Sequence, residues 1–233
     1  MNKMEEQKHL TLLCFYNGAI DGIHGPKTET AKLEFLENAG VDESRYFEQL
    51  ERGLAQLKGI LSRYKRPDDL ADVVKQACIF LGYNDVRLWS YMMATVQHET
   101  GGALWPIEEC GHIKDMGQRQ RLQRGLAYYP HFGRGLAQLT HLFNYERWSA
   151  IFGVDFVNDP DQLLKPLYSA AILIVGSIQG MFTGRALPMY INQYHCDYTQ
   201  ARRVINGVRQ GETLPDRAEK IASYAKEWEV YYG

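Results

Sequence analysis

Long apolar runs, clustered cysteines and an excess of charge of one sign are all missing from this 233-residue chain, and each absence removes a class of function. The most apolar stretch, Leu167 to Ile178, is interrupted by Tyr168 and Ser169 and falls short of the roughly 18 residues a membrane-spanning helix needs. Met1 to Leu10 is charged and has no apolar segment of signal-peptide length, so the chain is expected to be made and folded in the cytosol, without stable membrane association. With 26 basic and 28 acidic residues it lacks the positive field of a nucleic-acid binder, and no nucleic-acid partner is expected. Cys14, Cys78, Cys110 and Cys196 are too scattered for a zinc site or a disulfide framework and are expected to be free thiols. His98-Glu99 lacks the second histidine of a metalloprotease motif, since Gly102 stands where it would be. Gly133-Arg134-Gly135 lacks the Gly-Lys-Ser/Thr and the preceding strand of a phosphate loop. No metal and no cofactor are expected.

What the chain does have is apolar sequence at helical spacing. Hydrophobic residues make up 45% and aromatic residues 12%, including 15 Tyr and 4 Trp, whose rings suit both core packing and stacking on sugar faces. Between Leu10 and Gly40, two helical patterns flank the turn cluster Asn17-Gly18, Asp21-Gly22 and Gly25-Pro26, with Thr28 expected to cap the second. A further amphipathic pattern runs from Asp42 to Tyr64 through Tyr46, Leu50, Leu54, Leu57 and Leu61. Lys65-Arg66-Pro67-Asp68-Asp69 breaks it. Beyond the break, Asp68 or Asp69 should cap a helix through Leu70, Val74 and Leu81, and Asp85 should cap the next. The expectation is a mainly α protein, divided into a small helical region over 1–64 and a larger helical domain over 67–233.

The helix capped by Asp85 carries Val86, Trp89, Met93 and Val96 on one face and ends at His98-Glu99-Thr100-Gly101-Gly102, so Glu99 sits at a helix end where the backbone is free to turn. Glu109 follows ten positions later (109 − 99), with Glu108 beside it. Paired carboxyls suit glycoside hydrolysis, in which one donates a proton to the leaving oxygen and the other activates water or attacks the sugar. The gap between them is roughly 6.5–9.5 Å for inversion and about 5–5.5 Å for retention, and sequence spacing leaves it open. Downstream, Gln138, Thr140 and Asn144 offer amides and a hydroxyl suited to sugar hydroxyls and N-acetyl groups.

Two stretches resemble known families. Ile20-Asp21-Gly22 with Gly25-Pro26-Lys27-Thr28 resembles the small peptidoglycan-binding module of cell-wall hydrolases, which would make Tyr16, Asp21, His24 and Thr28 a cell-wall-binding surface. His98-Glu99-Thr100-Gly101-Gly102, the run Phe132-Gly133-Arg134-Gly135-Leu136-Ala137-Gln138-Leu139-Thr140 with Asn144-Tyr145, and Arg203-Val204-Ile205-Asn206-Gly207 together resemble glycoside hydrolase family 19 in its phage-endolysin branch, which has a lysozyme-like helical fold. Phe132 departs from the family's usual tyrosine, and Ala137 from its branched residue.

That resemblance implies Glu99 as general acid, Glu109 as second carboxylate with Glu108 as rival, and Thr140 as the group placing the catalytic water. Gln138, Asn144, Tyr145 and Asn206 would line the sugar subsites, with Arg217 as a charged partner; His98 is counted with these substrate-binding residues and, as a helical histidine, is expected to pack under the cleft. It further implies a monomer that binds bacterial peptidoglycan and cuts the beta-1,4 bond between N-acetylmuramic acid and N-acetylglucosamine. Such an enzyme would accumulate in the host cytoplasm, reach the periplasm through a membrane pore and lyse the cell. A chitinase, a lytic transglycosylase and a non-catalytic wall-binding protein are the alternatives.

Overall fold

The computed structural model describes residues 1–206 and 217–233, and within them the protein is mainly helical. Gly207 of the Ile-Asn-Gly motif lies outside the described residues. Nine α-helices are found among the described residues: α1 (Lys3–Leu12), α2 (Pro26–Ala39), α3 (Tyr46–Leu61), α4 (Leu70–Phe80), α5 (Val86–Glu99), α6 (Met116–Arg124), α7 (Leu142–Phe152), α8 (Pro166–Gln179) and α9 (Arg217–Tyr232). Two antiparallel pairs of two-residue strands join them, β1 (Ile107–Glu108) with β2 (Arg134–Gly135) and β3 (Ile191–Asn192) with β4 (His195–Cys196). No helix among the described residues is long and apolar enough to cross a membrane.

Helix ends follow local chemistry, with three departures from expectation, the first being that α1 spans Lys3–Leu12 and so lies mostly ahead of the Leu10–Gly40 stretch where the first helical pattern was expected. The Asp85 carboxylate accepts from the Arg87 amide at 2.9 Å, so α5 starts where its cap was expected. It ends on Glu99, and Gly101 and Gly102 then take left-handed φ of 60° and 84°, turning the chain away from the carboxylate. By contrast, α2 starts at Pro26 behind Gly25, because proline's fixed φ suits the first helical position; Thr28 therefore lies inside the helix, buried, rather than capping it. Asp69 occupies the cap position of α4, but its carboxylate accepts from the Lys65 and Arg66 amides instead and closes the interhelix break.

The core is organised around α8, whose residues from Ser169 to Ile178 are all buried. A helix apolar on every side has to be enclosed, and α1, α3, α4 and α5 all pack against this one, while α9 packs on α5. One continuous cluster of buried side chains runs from Leu10, Phe35, Leu50 and Leu61 through Val74, Met93, Leu136 and Ala170 to Ile221 and Ala225. Tyr64 donates to the Leu104 carbonyl at 2.6 Å and Gln179 to the Thr11 carbonyl at 2.5 Å, so polar bonds cross the same boundary. The break at Lys65–Asp69 therefore separates helices rather than cores.

The turn cluster before α2 is held from within. Buried Gln7 directs its amide nitrogen to Asp21 Oδ1 (2.9 Å), the Ile23 carbonyl (3.1 Å), the Tyr16 hydroxyl (3.3 Å) and Thr28 Oγ1 (3.4 Å). Its carbonyl oxygen accepts from the amides of Asp21 and Gly22. A buried amide is stable only when its donors and acceptor are met, and this turn meets them. Tyr16, Asp21 and Thr28, expected as a wall-binding surface, thus converge on Gln7, with Tyr16 and Thr28 buried. His24 bridges Glu29 (2.6 Å) and the buried Glu6 (3.3 Å), and Tyr46 also donates to Glu6 at 2.8 Å. Burial therefore takes Tyr16 and Thr28 out of the open surface expected for them, whereas Asp21 is exposed and His24 partly so.

The hydrogen bond to Glu29, and after it the contact with Glu6, raises the His24 pKa above its ordinary value. A raised folded-state value means that protonated His24 contributes stability fully below the unfolded value of about 6.5, and that this contribution is lost as pH rises through the folded value. The melting temperature of the wild type should therefore fall between about pH 6 and pH 8 more steeply than that of His24→Gln. Parallel pH dependences in the two proteins would contradict this bridge.

Candidate active site

Burial of Trp89, Met93 and Val96 fixes one face of α5 and leaves Glu99, at its last position, on the wall of a cleft of about 670 Å³. Arg202, buried in a short 3-10 segment (Gln200–Val204), donates from Nη1 to Glu99 Oε1 at 2.7 Å. His98 does not line the cleft; burial holds its pKa below the usual histidine value, and Arg202, Arg217 and Lys220 oppose its charge further.

The second carboxylate is placed by the strand pair. Ile107 pairs with Gly135 and Glu108 with Arg134, and the ladder extends to a bond from the Glu109 amide to the Gly133 carbonyl at 2.7 Å. Consecutive residues of an extended chain point to opposite sides, and Glu108 and Glu109 part accordingly. Glu108 accepts from Arg119 at 2.9 Å and is absent from the cleft lining. Glu109 lines the cleft together with Glu99. Its Oε1 accepts from the Tyr128 hydroxyl and its Oε2 from the Gly133 amide, both at 3.0 Å. Burial, and then the bond to Glu109, raises the Tyr128 pKa, which keeps the phenol a donor. The two carboxylates therefore have unlike settings, one held by a cation and the other by neutral donors.

Main-chain geometry ties these groups to the core. Gly135 adopts φ 83°, and a Cβ there would stand 2.7 Å from Ser169 Oγ of α8, the atom that accepts from the Leu136 amide at 2.7 Å. A Cβ on Gly133 would stand 2.8 Å from Gln138 Oε1 and 3.4 Å from Glu109 Oε2. Both glycines permit a close approach that a side chain would block.

Gln138, Thr140 and Asn144 all line the cleft, with different freedom. Gln138, at φ 50°, has its amide nitrogen engaged by the carbonyls of Ile107 (3.0 Å) and Gly135 (2.9 Å), so it braces the loop. Thr140 donates to the Gln138 carbonyl at 2.8 Å. Asn144 donates to the Thr140 carbonyl at 2.8 Å, while its buried Oδ1 has no hydrogen-bond partner. Tyr145 is not on the cleft: it is fully buried, donates to the Phe132 carbonyl at 2.5 Å and accepts from Arg134 at 3.0 Å. It shapes the loop from behind. Asn206 and Arg217 line the cleft along with Phe182 and Thr183.

Arg202, Tyr128, His141 and Phe143 belong to the site but were not singled out in the sequence. Arg202 adjoins the motif residue Arg203 and Tyr128 lies four positions before Phe132 (132 − 128), yet no spacing rule marks either as a carboxylate's partner. Among the described residues, no group of three or more His, Cys, Asp or Glu side chains is placed to hold a metal ion. No family model matches the chain, and neither a curated protein nor a solved structure matches it.

Gly133→Ala should destabilise the protein by about 1–3 kcal/mol, because the added Cβ must displace the Gln138 amide, which two carbonyls hold. Gly59→Ala, in α3 with open space at its Cβ, should be neutral or stabilising. Urea unfolding of both variants tests this, and equal midpoints would show that the loop yields freely.

Proposed function

We propose that the chain is a glycoside hydrolase that cuts bacterial peptidoglycan between N-acetylmuramic acid and N-acetylglucosamine, the activity of a phage endolysin. The observation that carries the reading is that Glu99 and Glu109 line one cleft while Glu108 is turned away onto Arg119. Glu99 is assigned as general acid, delivering its proton to the glycosidic oxygen. Arg202, 2.7 Å away, then favours the anion left after the transfer. Glu109 is the second carboxylate, kept in place by Tyr128 and the Gly133 amide, and it takes the proton of the attacking water.

Thr140 contributes its hydroxyl to placing that water, since its oxygen still has acceptor capacity while its proton bonds Gln138. The unpartnered Asn144 Oδ1 is an acceptor waiting for an N–H or O–H, as an N-acetyl sugar supplies. A buried acceptor left without a donor costs free energy, so a sugar that meets it binds preferentially. Asn206 and Arg217 complete the sugar-binding wall. The presence of Glu109 favours hydrolysis over a transglycosylase, which needs one acid and no base, and the Arg217 cation favours a carboxylate-bearing polymer over neutral chitin. The host-cell setting, with release through a membrane pore, is the setting in which such an enzyme would act.

Glu99→Gln and Glu109→Gln should each fold with the wild-type melting temperature to within a few degrees. Each should clear a turbid suspension of purified peptidoglycan about 100-fold to 10,000-fold more slowly, whereas Glu108→Gln should retain activity. Wild-type clearing by Glu99→Gln would overturn the assignment.

A further inference from the structure

The last helix carries a feature that the cleft does not use. Arg217, Lys220, Tyr224, Trp228 and Tyr231 follow one another at steps of three, four, four and three residues, the spacing that keeps side chains on one helix face. The adjoining face of α9, through Ala218, Ile221 and Ala225, is buried against the core, with Tyr224 and Trp228 partly buried at its edge. At about 1.5 Å of rise per residue the stripe is about 21 Å long. It begins at the cleft, because Arg217 is part of the cleft wall.

Its two ends differ in chemistry. Near the cleft, Arg217 and Lys220 are close enough to His98 of α5 to act on its charge, and the Lys220 ammonium lies 5.6 Å from the centre of the Tyr224 ring. Farther out, Trp228 donates from its indole nitrogen to Gln97 of α5 at 2.8 Å, which fixes the ring. Tyr231 meets that ring edge-on, with centroids 5.0 Å apart and planes at 72°, and Tyr232 braces both. Tyr231 is 65% exposed and the adjacent Val230 is 81% exposed. An aromatic ring held rigid from behind and open in front is a stacking surface whose ordering cost is already met.

We propose that this stripe is an extended binding track for the peptidoglycan strand beyond the cleft, with Tyr231 stacking on a sugar ring and Lys220 pairing with carboxylates of the stem peptides. The inference rests on the peptidoglycan reading above and adds to it a substrate-length requirement. Continuity with the cleft through Arg217 favours a polymer as occupant, and the paired cations favour one that bears carboxylates. Each contact is modest alone; joined to the cleft on one strand, they act at high effective concentration. The track therefore matters for the insoluble wall and little for a short soluble fragment.

The test compares Tyr231→Ala/Lys220→Gln with wild type on two substrates: purified sacculi, and a soluble muramyl tetrasaccharide freed of its stem peptides. The ratio of wall activity to tetrasaccharide activity should fall about tenfold, and Tyr231→Trp should keep it near wild type. An unchanged ratio in the double variant would overturn the track. A second measurement, pelleting with sacculi in the Glu99→Gln background, should show weaker retention when Tyr231 and Lys220 are replaced. This pelleting does not depend on turnover, so it separates failure of the track from failure of the catalytic reading. If sedimentation instead shows a wild-type dimer that Tyr231→Ala dissociates, with the activity ratio unchanged, the face is a self-interface and the proposal is wrong.

Discussion

The cleft depends on how closely the Gly133–Gly135 backbone approaches α8. Ser169 lies on the buried helix, accepts from the Leu136 amide, and occupies the space a side chain on Gly135 would need. Because α8 is enclosed from Ser169 to Ile178, this anchor is as rigid as the core itself. The strand pair inherits that rigidity and passes it to Glu109 through the two main-chain contacts with Gly133. Glu99 is anchored independently, by the packed face of α5 and by Arg202. Glu99 and Glu109 are fixed from different elements on the wall of one cleft, as the proposed acid–base chemistry on a sugar would require.

Much of the fold was legible because its signals are local. The helix from Val86 to Glu99 could be read from a capping aspartate, an apolar face and terminal glycines, and it has those bounds. The breaks at Lys65–Asp69 and at Gly40 were legible for the same reason. The start of α2 was misplaced because Thr28 is a good capping residue in general, whereas here Pro26 directly after Gly25 is the stronger local signal.

What was not legible is pairing between distant residues. Gln7 gives no sign in the sequence that it meets Tyr16, Asp21 and Thr28, so the burial of Tyr16 and Thr28 could not be foreseen from the turn motif. That Glu109 and not Glu108 lines the cleft depends on the register of a two-residue strand pair, too short for any periodicity to show. Tyr145 sits one position after a cleft residue, and its burial follows from the helical turn of α7 and from Arg134, not from its type. Arg202 is the clearest case: its role comes from a contact 103 positions away in sequence.

The central claim is that Glu99 and Glu109 act together on one glycosidic bond with water as the acceptor. It is tested most directly by digesting purified sacculi in heavy-oxygen water and examining the released muropeptides by mass spectrometry. The account predicts one heavy oxygen at each new reducing end; anhydro-muramyl ends carrying no label would contradict it.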